Sequence, residues 1–173
     1  WLLAPKSRGP LGFGMLEYFE GKVMPAIEAK LGKTKGRRIL LGDSMGGFNA
    51  LQLGMKTNHF AKVAALCSPL AVDLSPFASD AELEAYVNRS SALRTGTQTY
   101  DTLFGNLKMV QAVVGAFWAD AKDFEGSDPI LLARALHGPS KTKFYLAAGY
   151  FDRYAAYEGN EGLAKALKAS GTS

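Results

Sequence analysis

One serine in this chain sits where a serine can be made to do chemistry. The run Gly42-Asp43-Ser44-Met45-Gly46-Gly47 directly follows a short apolar stretch, Arg38-Ile39-Leu40-Leu41, and directly opens a segment with helical spacing. A G-x-S-x-G string alone is common. Between a strand and a helix, however, it demands a sharp turn that lifts the serine hydroxyl above the sheet edge, its two glycines letting the backbones pass closely. The same turn aims the free N–H groups of the helix start at the hydroxyl. Negative charge developing on a substrate oxygen would be held there, with the Met45 N–H as one oxyanion donor. A phosphate-binding turn would instead need a Gly-Lys-Ser/Thr ending or G-x-G-x-x-G spacing, and neither is present. A glycine-rich turn with an incidental serine is the remaining alternative.

A nucleophilic serine needs a base, and the chain has two histidines, His59 and His137. Each precedes an apolar run, His59 that at 62–67 and His137 that at 143–149. Both are therefore expected at the N-terminal edge of a parallel sheet, whereas Ser44 follows its strand at the carboxyl edge, where such sheets bind ligands. A six-residue strand spans roughly 20 Å, several times hydrogen-bond reach, so neither histidine is read as the base. The single cysteine, Cys67, excludes an internal disulfide and a cysteine-based zinc site, and its setting after Ala64-Ala65-Leu66 reads as a buried structural thiol. No cofactor and no metal ligand set is expected.

The elements that must position these groups alternate. Residues 1–5 read as the tail of a buried strand, stopped by Pro5 and the Gly9-Pro10 turn. From about Phe13 to Leu31, Leu16, Phe19, Val23, Ile27 and Leu31 form a helical stripe, with a kink or a junction of two helices expected at Pro25. Strands covered on both faces are expected over 38–42 and 62–67, with a helix over 46–55 between them. Between 73 and 137 the pattern turns polar and helical, with candidate segments at 81–87, 100–107 and 109–117 and no good strand. This stretch reads as a helical insertion. The sheet pattern then resumes at 143–149, followed by a helix over 158–169.

Composition agrees with a folded α/β domain. The chain has 173 residues, 47% hydrophobic and 21% charged, about one domain's worth. The net charge of +4 raises the question of a nucleic-acid partner, but the basic residues scatter. The densest run, Lys33-Thr34-Lys35-Gly36-Arg37-Arg38, lacks interleaved aromatics, so no nucleic-acid partner is expected. No apolar stretch approaches the roughly 20 residues of a membrane span. The compartment and the oligomeric state are not legible.

The run from Arg38 to Leu70, with the Gly42–Gly47 turn, Phe60 and Val63-Ala64-Ala65-Leu66-Cys67-Ser68-Pro69, resembles the α/β-hydrolase superfamily. Within it, the chain is similar to the esterases grouped around esterase D, enterochelin esterases, feruloyl esterases and mycolyltransferases. A weaker likeness continues from Lys143 to Leu167. The resemblance implies a triad in the order Ser, acid, His, with the acid after the strand at 143–149, which falls on Asp152. That carboxylate would fix a histidine tautomer, unless it only caps the next turn. Asp128 and Asp101 follow no strand. The family's histidine comes after a further strand and its second oxyanion donor from a loop near an earlier one, so the chain is expected to be incomplete at both ends. The resemblance thus implies a serine esterase acting on small-molecule carboxylic esters through an acyl-enzyme. Ser44, Met45 and Asp152 would lie in this chain and the histidine outside it. An acyltransferase with the same nucleophile and a non-catalytic binding module are the alternatives. The 73–137 insertion would form a lid, with Phe77, Tyr86, Tyr100, Phe104, Phe117 and Trp118 as candidate pocket aromatics.

Overall fold

The computed structural model describes residues 14–32 and 38–172. The strand expected at 1–5, its following turn and the basic run at 33–37 lie outside them. The first helical stretch comprises α1 (Met15–Tyr18), a π-helical turn (Phe19–Val23) and α2 (Met24–Leu31). The break expected at Pro25 thus takes the form of a widened turn just before it, with the Met24 N–H bonding to Phe19 O, five residues back. Proline has no N–H and its ring crowds the carbonyl four residues earlier, and a π turn relieves both conflicts.

Three strands follow: β1 (Ile39–Asp43), β2 (Lys62–Leu66) and β3 (Lys143–Ala147), all parallel in the order β1-β2-β3. Gly42 pairs with Ala65 and Ala65 with Leu146, so the three strands end level and all exit at one edge. Helix α3 (Met45–Lys56) joins β1 to β2 and packs on both, and the helix at Tyr157–Ala169 returns onto β3. This is the expected α/β arrangement, with an open sheet.

The expectation that β1 is covered on both faces is corrected. Leu40 and Gly42 share a face with the buried Val63 and Ala65, toward the core built from Phe48, Leu51, Leu163 and Leu167. On the other face Ile39, Leu41 and Tyr145 are each about two-thirds exposed, at 64%, 66% and 63%. A run of apolar residues cannot by itself tell two buried faces from one buried and one bare.

Between β2 and β3 the described residues are helical: α4 (Asp80–Asn88), α5 (Ser91–Arg94), α6 (Tyr100–Gly115), α7 (Ala121–Glu125) and α8 (Pro129–Arg134), then α9 (Tyr157–Ala169) after β3. Four of these helices open on a side-chain cap. Ser79 and Glu82 form a capping box, and Thr99, Asp120 and Asp128 each accept a backbone N–H of the following turn. The two segments expected at 100–107 and 109–117 form one continuous α6, since Lys108 is a good helix former. The helices are seated on α3 by Gln52, which donates to Ser127 O at 2.6 Å, and by Phe48, stacked on Phe124. No helix of the described residues is long and apolar enough to cross a membrane.

Candidate active site

Ser44 occupies the junction of β1 and α3 with φ 51° and ψ −121°. That pair lies outside the left-handed helical well, so an L-residue there is strained by about 1–3 kcal/mol and must be held by its surroundings. Its own N–H is tied to Leu66 O at 2.8 Å. The first bond of α3 runs from Phe48 N–H to Ser44 O, so the N–H groups of Met45, Gly46 and Gly47 precede the ladder and are the orphan donors of the helix start. The hydroxyl-bearing residue is exposed at the sheet's carboxyl edge.

The glycines that the close approach of strand to helix requires are Gly42 and Gly47, not Gly42 and Gly46 as the string suggests. A Cβ at Gly42 would overlap the Gly46 carbonyl oxygen, and one at Gly47 the Ser68 hydroxyl, whereas a Cβ at Gly46 would meet nothing within 4 Å.

Asp152 lies in the turn after β3, half-buried. Its Oδ1 accepts the N–H groups of Tyr154 (2.7 Å) and Ala156 (3.3 Å), so it does cap the turn into α9, while Oδ2 has no partner among the described residues. Ser44 and Asp152 follow the first and third strands of the sheet, and those two strands lie about 10 Å apart at the spacing of parallel strands. No hydrogen bond joins them. The two histidines lie at the opposite edge, His59 ahead of β2 with Nε2 bonded to Glu20 Oε1 at 2.8 Å, and His137 ahead of β3. Asp128 caps α8, and burial raises its pKa above the ordinary carboxylate value. Asp101 is exposed in the first turn of α6.

A cleft of about 170 Å³ opens beside Ser44, lined also by Cys67, Pro69, Met109, Val110, Val113 and Tyr154. Cys67 is exposed, which corrects its reading as a buried thiol. β2 ends at Leu66, and Cys67 turns out of the sheet at φ 46° into the cleft. None of the six aromatics expected to line a pocket does so here. Trp118 is fully buried and donates to Ser127 Oγ, Tyr86 donates to Ala155 O, Phe117 packs on Trp118, and Tyr100 stacks on Phe104. Phe77 lies against Gly115. The sequence reading missed the α6 residues, whose signal was a second apolar stripe, Met109 and Val113, beside the inward Leu103, Leu107 and Val114. No group of three His, Cys, Asp or Glu among the described residues could hold a metal ion.

The α4–α6 region also grips the Asp152 turn by its backbone carbonyls. Tyr86 donates to Ala155 O (2.8 Å), Ser91 Oγ to Tyr150 O (2.7 Å) and Asn106 Nδ2 to Arg153 O (2.6 Å). Burial, with Glu158 close by, pushes the Tyr86 hydroxyl pKa well above its usual value, so it stays a donor at any working pH.

A parallel sheet with a strained serine between strand and helix, flanked by helices, defines the α/β-hydrolase class. The Putative esterase family model matches residues 13–168, and the chain belongs to that family of esterase-type hydrolases. No curated protein matches the chain.

Proposed function

We propose that this chain supplies the nucleophile, acid and one oxyanion donor of a serine carboxylic-ester hydrolase. The observation that carries the reading is Ser44 itself, an exposed hydroxyl on strained backbone, beneath the orphan N–H groups of α3 and open to an apolar cleft. Ser44 Oγ attacks the ester carbonyl as its proton passes to an imidazole. The Met45 N–H stabilises the tetrahedral oxyanion, and collapse expels the alcohol, which takes up that proton. Water then attacks the acyl-serine by the same relay, releasing the acid and restoring Ser44. Asp152 Oδ2 orients and stabilises the imidazolium from across the carboxyl edge. His59 and His137 cannot serve from the other edge, so the imidazole comes from outside this chain. The helices between 73 and 137 form the lid, α6 standing over Ser44.

The test is chemical rescue. Added imidazole should accelerate hydrolysis of a p-nitrophenyl ester by the chain and promote modification of Ser44 by a fluorophosphonate. Ser44→Ala should abolish both, while His59→Ala and His137→Ala leave both unchanged. Loss of rescue in either histidine variant, or a Ser44 inert to the probe with and without imidazole, would refute the assignment.

A further inference from the structure

Seven residues, Ser44 among them, line the cleft, and none is an Asp, Glu, Lys, Arg or His. A charged acyl group entering it would lose water with no ionic partner, an expensive desolvation, so the cleft suits an uncharged acyl chain. The part of that chain the cleft can enclose is bounded by volume. A dry apolar cavity of about 150 Å³ accommodates a benzene ring, six heavy atoms, and this cleft has about 170 Å³.

The far wall comes from α6. Val110 is half-buried against the Val114–Trp118 cluster and so is fixed in place. Met109 and Val113, one helical turn apart, are 51% and 42% exposed, although nothing else in the α6 pattern calls for a second apolar stripe. They are free of the core and face the same cleft as Ser44.

We infer that Met109 and Val113 set acyl-chain length at this site, restricting it to uncharged acyl groups of up to about six carbons. This rests on Ser44 being the nucleophile, and its test has an arm that does not. With imidazole present, kcat/KM for p-nitrophenyl esters should be highest for butyrate and hexanoate, and at least tenfold lower for decanoate and for the anionic succinate monoester. Met109→Trp and Val113→Trp, both at half-exposed positions where folding is checked by circular dichroism, should lower the hexanoate-to-acetate ratio at least tenfold. The second arm uses Cys67, the single thiol of the chain and part of the cleft wall. In Ser44→Ala protein, alkyl methanethiosulfonates convert that thiol to a mixed disulfide with loss of methanesulfinate, and this needs no esterase chemistry. The rate should rise from methyl to hexyl and fall at decyl, with the maximum shifted to shorter chains in Val113→Trp. A thiol profile as expected with no Ser44-dependent hydrolysis would sustain the cleft and overturn the nucleophile. Ser44-dependent hydrolysis whose chain-length profile neither tryptophan changes, or a thiol profile flat from methyl to decyl, overturns the inference.

Discussion

Replacing each of the three glycines around Ser44 with alanine should give three different outcomes. At Gly42 the added methyl would overlap the Gly46 carbonyl oxygen and lie 2.7 Å from the Gly47 nitrogen. Both atoms are backbone of the first turn of α3, so relief requires β1 and α3 to part, against the Ser44-to-Leu66 bond that pins the turn. Overpacking generally costs about 1–3 kcal/mol, and a change that must displace backbone should exceed about 3 kcal/mol. At Gly47 the overlap is with the Ser68 hydroxyl, which can rotate, leaving contacts of 3.1 Å to the carbonyls of Gly42 and Leu66. Gly47→Ala therefore belongs in the ordinary overpacking range of about 1–3 kcal/mol. At Gly46 the methyl meets nothing within 4 Å, and the residue is helical. Alanine is preferred to glycine there by up to about 1 kcal/mol, so Gly46→Ala should stabilise by about 0.5 kcal/mol. At roughly 2–4 °C per kcal/mol for a chain of this size, Gly46→Ala should melt a degree or two above the parent. Gly47→Ala should melt several degrees below it, and Gly42→Ala at least about 6 °C below it or not fold. Urea midpoints at constant m value should keep the same order. A loss at Gly46 equal to that at Gly42 would refute the assignment of the close approach to Gly42 and Gly47.

Two further outcomes follow from the buried polar groups. Tyr86→Phe leaves the carbonyl of the buried Ala155 without its donor, and should cost about 1–3 kcal/mol. It should also speed amide exchange across 149–156, and unchanged exchange there would show that Tyr86 does not hold the turn. Burial lets folded Asp128 keep its proton to higher pH than the ordinary value of 3.8, so between those two values the native state binds more protons and stability falls as pH rises. Asp128→Asn keeps the acceptor for the Ile130 N–H and removes that slope. The stability of the variant relative to the parent, read from urea midpoints, should rise from about pH 3.5 to 7; matching pH profiles would exclude Asp128 as the source.

The strands and the helices around the elbow were legible because each is an apolar run punctuated by glycine or charge, and the chain offers few other ways to bury those runs. Ser44 was legible for the same reason, being fixed by local strand-turn-helix grammar. The cleft was not, because its walls come from parts distant in sequence. The reading gave the pocket to aromatics, yet large rings bury the most area wherever they are enclosed: Phe117 and Trp118 pack on each other and Trp118 on Phe124, while Tyr86 holds Ala155. What remained for the cleft were the smaller Met109, Val110 and Val113. Cys67 was misread through its neighbours, since Ala64 to Leu66 end the strand and the next residue turns outward.

Backbone strain ties these pieces together. Among the described residues, four non-glycine positions have positive φ: Ser44, Cys67, Asp73 and Ala155. Ser44 and Cys67 line the cleft, and Ala155 follows Tyr154, which also lines it. Each of the three lies beyond the carboxyl end of a different strand. Each is tied to a neighbouring element by a hydrogen bond: Ser44 N–H to Leu66 O, Cys67 N–H to Ala147 O, and Tyr86 Oη to Ala155 O. The first two extend the sheet ladders one residue past the strands, and the third comes from α4. Strain of this kind persists only where the surroundings over-determine it, and it gathers where a side chain must be presented rather than packed. Because the third restraint comes from α4, the geometry around Asp152 depends on the helices between β2 and β3 as well as on the sheet. Loosening α4 should therefore disturb the Asp152 turn while leaving Ser44, held by β2 and α3, in place.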